Sequence, residues 1–405
     1  MGLLGTPVLI VLAAAAALAP IAVCLSWPRV RGPVLVRGAV RLAMLATAQI
    51  LAICLVAGLI NDYGLFYNSW SELAAGASQF AGLGSQPAQH PELVANSRPS
   101  DTGVTVRPEP GYTDPGEWSR RGRLESVTIR GAVSGLRSHA FVYLPPQYFQ
   151  PAYASRYFPA VEVFTGYPGI DQYLVSRLKY PDVLRRLIER HHASAAVLVM
   201  MRPSVTFPRD TECTDVPDGP QAETFFATDV PSQIGKSYRV LPSSWGAIGD
   251  STGGYCAAKL AMLNPGTFRA AAEMSGYFFA LHDRTTGSLW GGSAIVRQLN
   301  DLAWRLRHLP APPVSLLEGT SPAEQGSDGY VQAMRFAQLV KAPMRVSVMT
   351  VPHGGHNIAT WAAELPAALH WLIAHLAPPC SSSVPVQPGQ VDLGMTVAGT
   401  ALATP

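Results

Sequence analysis

The amino-acid sequence predicts an α/β fold with a mostly parallel central sheet, preceded by two transmembrane helices. Beyond residue 120, short apolar runs typical of buried strands alternate with segments of helical periodicity, as in a parallel sheet covered by helices on both faces. Two long apolar runs occupy the first sixty residues. Near the middle of the chain, a serine flanked by glycines lies between a strand-like and a helix-like segment.

Residues 7–25 and 42–60 are the candidate transmembrane helices. Each is long enough to cross a hydrocarbon core of about 30 Å at about 1.5 Å per residue. The segment between them carries four arginines and no acidic residue, so the positive-inside rule places it in the cytoplasm and the chain after residue 60 outside. A signal peptide is the alternative for the first run, although no basic segment precedes it and a second span follows. Aromatic residues suited to the membrane interface come next: Tyr63, Phe66, Tyr67 and Trp70.

Composition divides the chain into four parts. Residues 1–65 form the two-helix membrane anchor, and residues 66–120, rich in small and polar residues without a lasting period, form a flexible linker. Residues 121–378 hold the alternating strands and helices of the main domain. Residues 379–405 are rich in proline and serine and form a loose tail.

The main domain is expected to open with an antiparallel pair of strands, at residues 124–129 and 137–144, because both alternate apolar and polar residues. Six buried-type strands follow, at residues 160–164, 195–201, 245–248, 270–274, 314–317 and 344–351. Helical periodicity predicts helices at residues 182–191, 252–263, 329–340 and 360–376. This order predicts a sheet that is parallel over most of its width.

Charge and cysteine content exclude several functional classes. The net charge is +3, only 14% of the residues are charged, and no basic cluster interleaves with aromatic residues, so nucleic acid is not an expected partner. The five cysteines include no C-x-x-C pair, which argues against a zinc ribbon or a dithiol redox site. A disulfide between Cys213 and Cys380 stays open at this stage.

Gly249-Asp250-Ser251-Thr252-Gly253 fits the G-x-S-x-G nucleophile elbow of the α/β-hydrolase fold. The strained turn that presents the serine needs small neighbours, which the glycines supply. A serine hydroxyl is a weak nucleophile, so it needs a histidine base oriented by a carboxylate. In this fold the chain order is serine, acid, histidine, with the base after the last strand.

His356 is the expected base, because it follows the last strand and precedes the final helix; His353 is its neighbour. A zinc site at these two histidines lacks a third ligand. Acyl transfer through a serine, a histidine and a carboxylate needs no metal or organic cofactor, so none is expected. The acid is one of three carboxylates that follow the strand at 314–317. Glu318 adjoins that strand, whereas spacing alone does not separate Glu324 from Asp328, which is also a candidate helix N-cap.

The oxyanion that forms during acyl transfer needs two fixed N–H donors. The amide of Thr252, directly after the nucleophile, is the first candidate. The second is expected in the loop Phe164-Thr165-Gly166-Tyr167-Pro168-Gly169, where the Tyr167 amide is the best candidate since proline has none. An ordinary turn is the alternative for this loop.

The elbow, Asn264-Pro265-Gly266-Thr267-Phe268 and Met274-Ser275-Gly276 together resemble the esterase D-like α/β-hydrolases, especially their branch of secreted actinobacterial mycolyltransferases. The likeness covers about residues 124–376. Ser321-Pro322-Ala323-Glu324 resembles the motif that holds the family's acid, and Gly354-Gly355-His356-Asn357 the motif that holds its base. The resemblance therefore implies Glu324 as the acid and His356 as the base, and it agrees with Thr252 and Tyr167 as oxyanion donors.

These features lead us to expect a membrane-tethered, extracytoplasmic serine esterase or acyltransferase that acts on a lipid or cell-envelope glycan ester through an acyl-enzyme. The alternative is a non-catalytic module of the same fold that binds such lipids or glycans. Two further hypotheses concern loops. The insertion at 278–309, with Trp290, either shapes an acyl-chain pocket or packs on the core, and the acidic stretch from Asp210 to Asp218 is a weak calcium candidate.

Overall fold

The computed structural model describes residues 6–64, 70, 73–74, 103–109, 112–324, 329–352 and 354–381. Two site candidates, Asp328 and His353, lie outside these ranges, as do most of the expected linker and tail. Helices α1 (Thr6–Ser26) and α2 (Val34–Gly64) come first. Both are long and apolar enough to cross a membrane, and their apolar stretches are not buried inside the protein.

Nine strands form one sheet in the described part of the chain. They are β1 (Gly103–Pro108), β2 (Arg123–Arg130), β3 (Arg137–Leu144), β4 (Phe158–Phe164), β5 (Val197–Met201), β6 (Val240–Asp250), β7 (Phe268–Met274), β8 (Ser315–Thr320) and β9 (Arg345–Thr350). Their order across the sheet is β1-β2-β3-β5-β4-β6-β7-β8-β9. The pairs among β1, β2, β3 and β5 are antiparallel, and all pairs from β5 to β9 are parallel. The mostly parallel sheet and its antiparallel opening pair are therefore confirmed.

The helices that follow α2 connect the strands. They are α3 (Pro115–Arg121), α4 (Gln172–Ser176), α5 (Tyr180–Glu189), α6 (Val230–Ser237), α7 (Thr252–Leu263), α8 (Ala294–Leu299), α9 (Leu302–His308), α10 (Tyr330–Ala337) and α11 (Ile358–Ala374). Side-chain caps mark helix starts: Ser293 accepts a hydrogen bond from the Val296 N–H, and Asp301 accepts one from the Trp304 N–H. Such caps satisfy amides that a helix leaves unpaired in its first turn.

Helices cover both faces of the sheet, so the core lies in two layers. One layer joins the sheet to α6, α7, α9 and α10, with Tyr255 and Phe336 among its buried side chains. The other joins it to α4, α5 and α11, with Leu184 and Leu369. All residues of β4 and β5 are buried, as expected of strands covered on both faces.

The structure departs from the sequence-based expectation at the start of the sheet. Residues 103–108, which were expected in the flexible linker, form strand β1 and pair with residues 125–130 of β2. The strand is short and contains only two large apolar residues, Val104 and Val106, so it gives little signal within a stretch otherwise rich in small and polar residues. Helix α3 also begins inside the expected linker, at Pro115.

The disulfide in the structure is not the Cys213–Cys380 pair that the sequence left open. Cys213 forms a disulfide with Cys256 in α7, so it does not pair with Cys380. Cys380 is a free, exposed cysteine whose backbone forms a bridge with Tyr157. The start of the expected tail is therefore attached to the sheet domain.

Candidate active site

Ser251 lies at the sharp turn between β6 and α7. Its φ of 54° is a left-handed value, which is uncommon for a residue with a side chain and marks a strained backbone. A Cβ on Gly249 would lie 2.4 Å from the backbone of Gly253, and one on Gly253 would lie 2.5 Å from the Thr165 carbonyl oxygen. Both glycines are thus required by close backbone approach, as the elbow motif predicts.

The structure brings His356 to this serine. The His356 Nε2 atom lies 2.9 Å from the Ser251 Oγ atom, a hydrogen-bond distance. The next residue, Asn357, caps helix α11 by accepting hydrogen bonds from the N–H groups of Ala359 (3.0 Å) and Thr360 (3.1 Å). The helix start therefore holds the segment that carries the imidazole.

Trp361, one turn into α11, packs against the imidazole of His356. The rings of His356 and Trp361 meet edge to face, with centroids 5.2 Å apart and planes at 87°. The indole is fixed in turn, because its Nε1 donates a hydrogen bond to the Ser275 Oγ at 2.9 Å. Sequence reasoning did not identify Trp361, although a tryptophan five residues after the base was a usable signal.

Glu324 lies on the far side of His356 from the serine. Its Oε1 is 3.8 Å from the His356 Nδ1, which is an ion-pair distance rather than a tight hydrogen bond. The carboxylate is buried, and its Oε2 lies 3.4 Å from the Ser321 backbone nitrogen. Glu318, another carboxylate considered, is buried within β8, where burial raises its pKa well above the ordinary range. Among the described carboxylates considered, Glu324 is the one that faces the base.

The loop after β4 passes beside the nucleophile. A Cβ on Gly166 would lie 3.0 Å from the Ser251 Cβ, so the loop approaches the serine at backbone contact. The Gly166 N–H donates a hydrogen bond to Asp250 Oδ2 at 2.8 Å. Tyr167 follows, and its hydroxyl donates to the Pro208 carbonyl at 2.7 Å. Thr252 begins α7, where a first-turn amide has no acceptor within its own helix.

Asp250, which precedes the nucleophile, is a site residue that sequence reasoning missed. Its side chain is buried, and burial raises its pKa to about 7, against the lowering effects of the Gly166 N–H and nearby His356. An acidic residue at the end of an otherwise apolar strand was the available signal. Asp250 ties the loop after β4 to the elbow.

A cavity of about 560 Å³ opens over Ser251. Its lining is mostly apolar, with the polar groups at the serine end. The main domain contributes residues from the elbow, the β4 loop, α4 and the start of α11: Thr165, Gly166, Tyr167, Gly169, Tyr173, Asp250, Ser251, His356, Asn357, Ile358 and Trp361. The remaining wall comes from Leu59 and Ile60 of α2. No sequence signal indicated that contact.

Trp290 does not line the cavity of the serine. It lines a second cavity of about 530 Å³, together with polar residues that include Arg297 and Asp301. Neighbouring Leu289 is fully buried in the core. Among the described residues, the insertion at 278–309 therefore does not shape the pocket at Ser251, and the packing alternative holds for Leu289.

The acidic stretch considered for calcium is engaged within the protein. Asp210 accepts a hydrogen bond from the Glu212 N–H at 3.0 Å, and Glu212 accepts one from the Tyr277 hydroxyl at 2.8 Å. Asp215 accepts hydrogen bonds from Thr224. Within the described ranges, no cluster of three or more His, Cys, Asp or Glu side chains is placed to hold a metal ion.

The chain matches a known protein family over most of its main domain. Residues 133–372, more than half of the chain, match the family described as "Putative esterase". The chain belongs to this esterase family. The matched region contains the elbow, the β4 loop, Glu324 and His356, but not Leu59 and Ile60 of the cavity wall. No curated protein matches the chain in sequence.

Solved structures agree with the esterase fold. An S-formylglutathione hydrolase from Agrobacterium tumefaciens is similar over 67% of this chain and 100% of its own, with a TM-score of 0.54 and 14% identity. A ferulic acid esterase is similar over 64% of this chain and 100% of its own, with a TM-score of 0.52 and 19% identity. At such identities the likeness shows the α/β-hydrolase fold alone.

Proposed function

We propose that this esterase-family protein is a membrane-tethered serine esterase or acyltransferase whose catalytic domain lies outside the cytoplasm. The observation that carries the chemistry is the 2.9 Å contact between His356 Nε2 and Ser251 Oγ on a strained elbow. Glu324 orients the imidazole from its other nitrogen. The amides of Thr252 and Tyr167 are assigned to the oxyanion hole. Within the β4 loop Tyr167 is preferred to its neighbour Gly166, because the Gly166 amide is already bonded to Asp250.

In the first half-reaction, Ser251 Oγ forms a bond to the ester carbonyl carbon while His356 takes the hydroxyl proton. The tetrahedral intermediate collapses, the bond to the leaving alcohol breaks, and His356 returns the proton to that alcohol. A second hydroxyl then attacks the acyl-enzyme by the same steps in reverse. Water as the acceptor gives hydrolysis, and a sugar or lipid hydroxyl gives transfer.

Two observations support a location outside the cytoplasm. The Cys213–Cys256 disulfide suits an oxidising compartment, since cytosolic thiols are kept reduced. Arg29 and Arg31 between α1 and α2, with Arg37 and Arg41 in the first turns of α2, favour a cytoplasmic connection between the spans, which leaves the esterase domain on the other side. The ester substrate is then a lipid or a cell-envelope glycan ester.

The test is labelling of the full chain with a fluorophosphonate, which reacts with activated serines. We expect the wild type to be labelled and Ser251→Ala not to be, with kcat lower by roughly 10⁴–10⁶-fold on a short ester. Equal labelling of the two proteins, or no labelling of the wild type, would leave a non-catalytic binding module as the better account.

The acid is tested by a matched pair of variants in the same assay. Glu324→Gln is expected to lose most activity, since it leaves the base without its charged partner, whereas Asp328→Asn keeps it. The reverse result would assign the role to Asp328. Product analysis with and without sugar acceptors then separates hydrolysis from transfer.

A further inference from the structure

The catalytic cavity is not closed by the esterase domain alone. Leu59 and Ile60, in the last turns of α2, form part of its wall together with the loop that carries Tyr167. Both side chains remain about half exposed, at 50% and 55%. A candidate membrane span therefore reaches the entrance of the pocket in which Ser251 lies.

The position of these two residues along α2 sets the depth of the entrance. Arg41 is the last charged residue before the apolar run of α2, and Asn61 is the first polar residue after it. The nineteen residues between them span about 28 Å as a helix, close to the hydrocarbon thickness of about 30 Å. Leu59 and Ile60 thus lie at the edge of the hydrocarbon core.

The lining of the cavity matches this depth. Apart from the reacting groups at the serine end, its surface is predominantly apolar, with Tyr173, Ile358 and Trp361 continuing the surface begun by Leu59 and Ile60. In a bilayer, the ester groups of lipids lie at the boundary between hydrocarbon and headgroups. An ester at that level has its acyl chain on the apolar side and its carbonyl within reach of the site.

We infer that the enzyme takes its substrate laterally from the bilayer, as an ester-bearing lipid whose acyl chain runs along Leu59 and Ile60 while its carbonyl reaches Ser251. This inference rests on the proposed function and narrows its substrate class to amphiphiles held in the membrane. The second span is then part of the substrate route as well as a tether. A water-soluble ester reaches the same serine without using that wall.

The experiment uses the full chain in phospholipid vesicles with two esters that share one leaving group. p-Nitrophenyl acetate is supplied in water, and p-nitrophenyl palmitate is incorporated in the vesicle membrane. The double variant Leu59→Ser/Ile60→Ser is expected to lower kcat/KM for the palmitate on the order of tenfold, the change that losing contact with about two methylene groups gives. Turnover of the acetate stays within about twofold.

Ile53→Ser/Val56→Ser is the matched control, because these residues of α2 are similarly exposed, at 62% and 55%, and do not line the cavity. It adds the same polarity to the helix, so any general effect on membrane insertion appears in both variants. Equal losses in the two variants, equal losses for the two esters, or turnover of the acetate without the palmitate would overturn the inference. Absence of both turnover and fluorophosphonate labelling in the wild type would instead refute the proposed function beneath it.

Discussion

At the scale of single residues, Asp250 connects the elbow to the loop after β4. Its Oδ2 accepts the Gly166 N–H, so the carboxyl group holds the loop that carries Tyr167 against the nucleophile. The same carboxyl group is buried, which disfavours its ionised form. One carboxyl group thereby influences both the position of the loop and the pH dependence of stability.

Asp250→Asn is expected to change how stability depends on pH. The carboxyl ionises near pH 4 in the unfolded chain, whereas burial raises its pKa to about 7 in the folded chain. The wild type therefore loses stability as pH rises across this interval, and the variant, which cannot ionise, does not. Melting temperatures are measured in detergent at pH 5 and pH 8. Relative to the wild type, the variant should be more stable at pH 8 than at pH 5, and the difference in free energy of unfolding is roughly 1.4 kcal/mol per pKa unit.

The amide of this variant keeps an acceptor for Gly166, so its kcat should stay within a few-fold of the wild type. Asp250→Leu removes the acceptor and should lower kcat by more, since the loop amide is then released. A stability difference that is the same at pH 5 and pH 8 would show that Asp250 does not titrate as described.

At the scale of elements, the nucleophile helix is fastened to the loop that precedes α6. The Cys213–Cys256 disulfide joins that loop to α7 five residues after Ser251, and Lys259 Nζ donates a hydrogen bond to the Cys213 carbonyl at 2.7 Å. The elbow is thus supported from its helix side as well as from β6.

The double variant Cys213→Ser/Cys256→Ser should unfold at a lower temperature than the wild type. The bond closes a loop over a sequence separation of 43 residues, and restraint of the unfolded chain by such a loop is worth about 4 kcal/mol. Cys380→Ser is the control and should melt like the wild type, because Cys380 is free. Equal melting of all three proteins would exclude a stabilising disulfide.

The elements that could be predicted from sequence are those with a local pattern. β4 and β6 contain short apolar runs, α7 and α11 show helical periodicity, and the elbow and the His356 motif are short contiguous stretches. What could not be predicted depends on long-range pairing. β1 is specified by its partner β2, the disulfide by two distant cysteines, and the contact of Leu59 with the cavity by the docking of a helix.

Roles within the site divide in the same way. Ser251, His356 and Glu324 were expected together, and the structure brings them together; their catalytic roles stay predictions until tested. Trp361 and Asp250 escaped notice because each acts through a neighbour, one holding the imidazole and the other the loop. Of the two alternatives for the insertion, an acyl-chain pocket at Ser251 is not the one that Trp290 fits, because Trp290 lines a second cavity; sequence order gave no information on which cavity the insertion borders.

At the scale of the whole molecule, the orientation of the tether decides where the esterase domain works. Cys380 provides a reporter: it is the exposed free cysteine outside α1 and α2 in the described part of the chain, whereas Cys213 and Cys256 are paired. In intact cells, a membrane-impermeant maleimide should label the wild type and not Cys380→Ser. Labelling that needs cell lysis would place the domain in the cytoplasm.

The backbone of Ser251 bears on which parts of the site can move during turnover. The Ser251 N–H donates a hydrogen bond to the Met274 carbonyl at 3.0 Å, which makes the strained residue part of the ladder between β6 and β7. Amides of central strands exchange with solvent hydrogen only when large units of a protein open. We therefore expect Ser251 to keep its place during turnover, and the β4 loop and the end of α2 to move as an ester enters and an alcohol leaves.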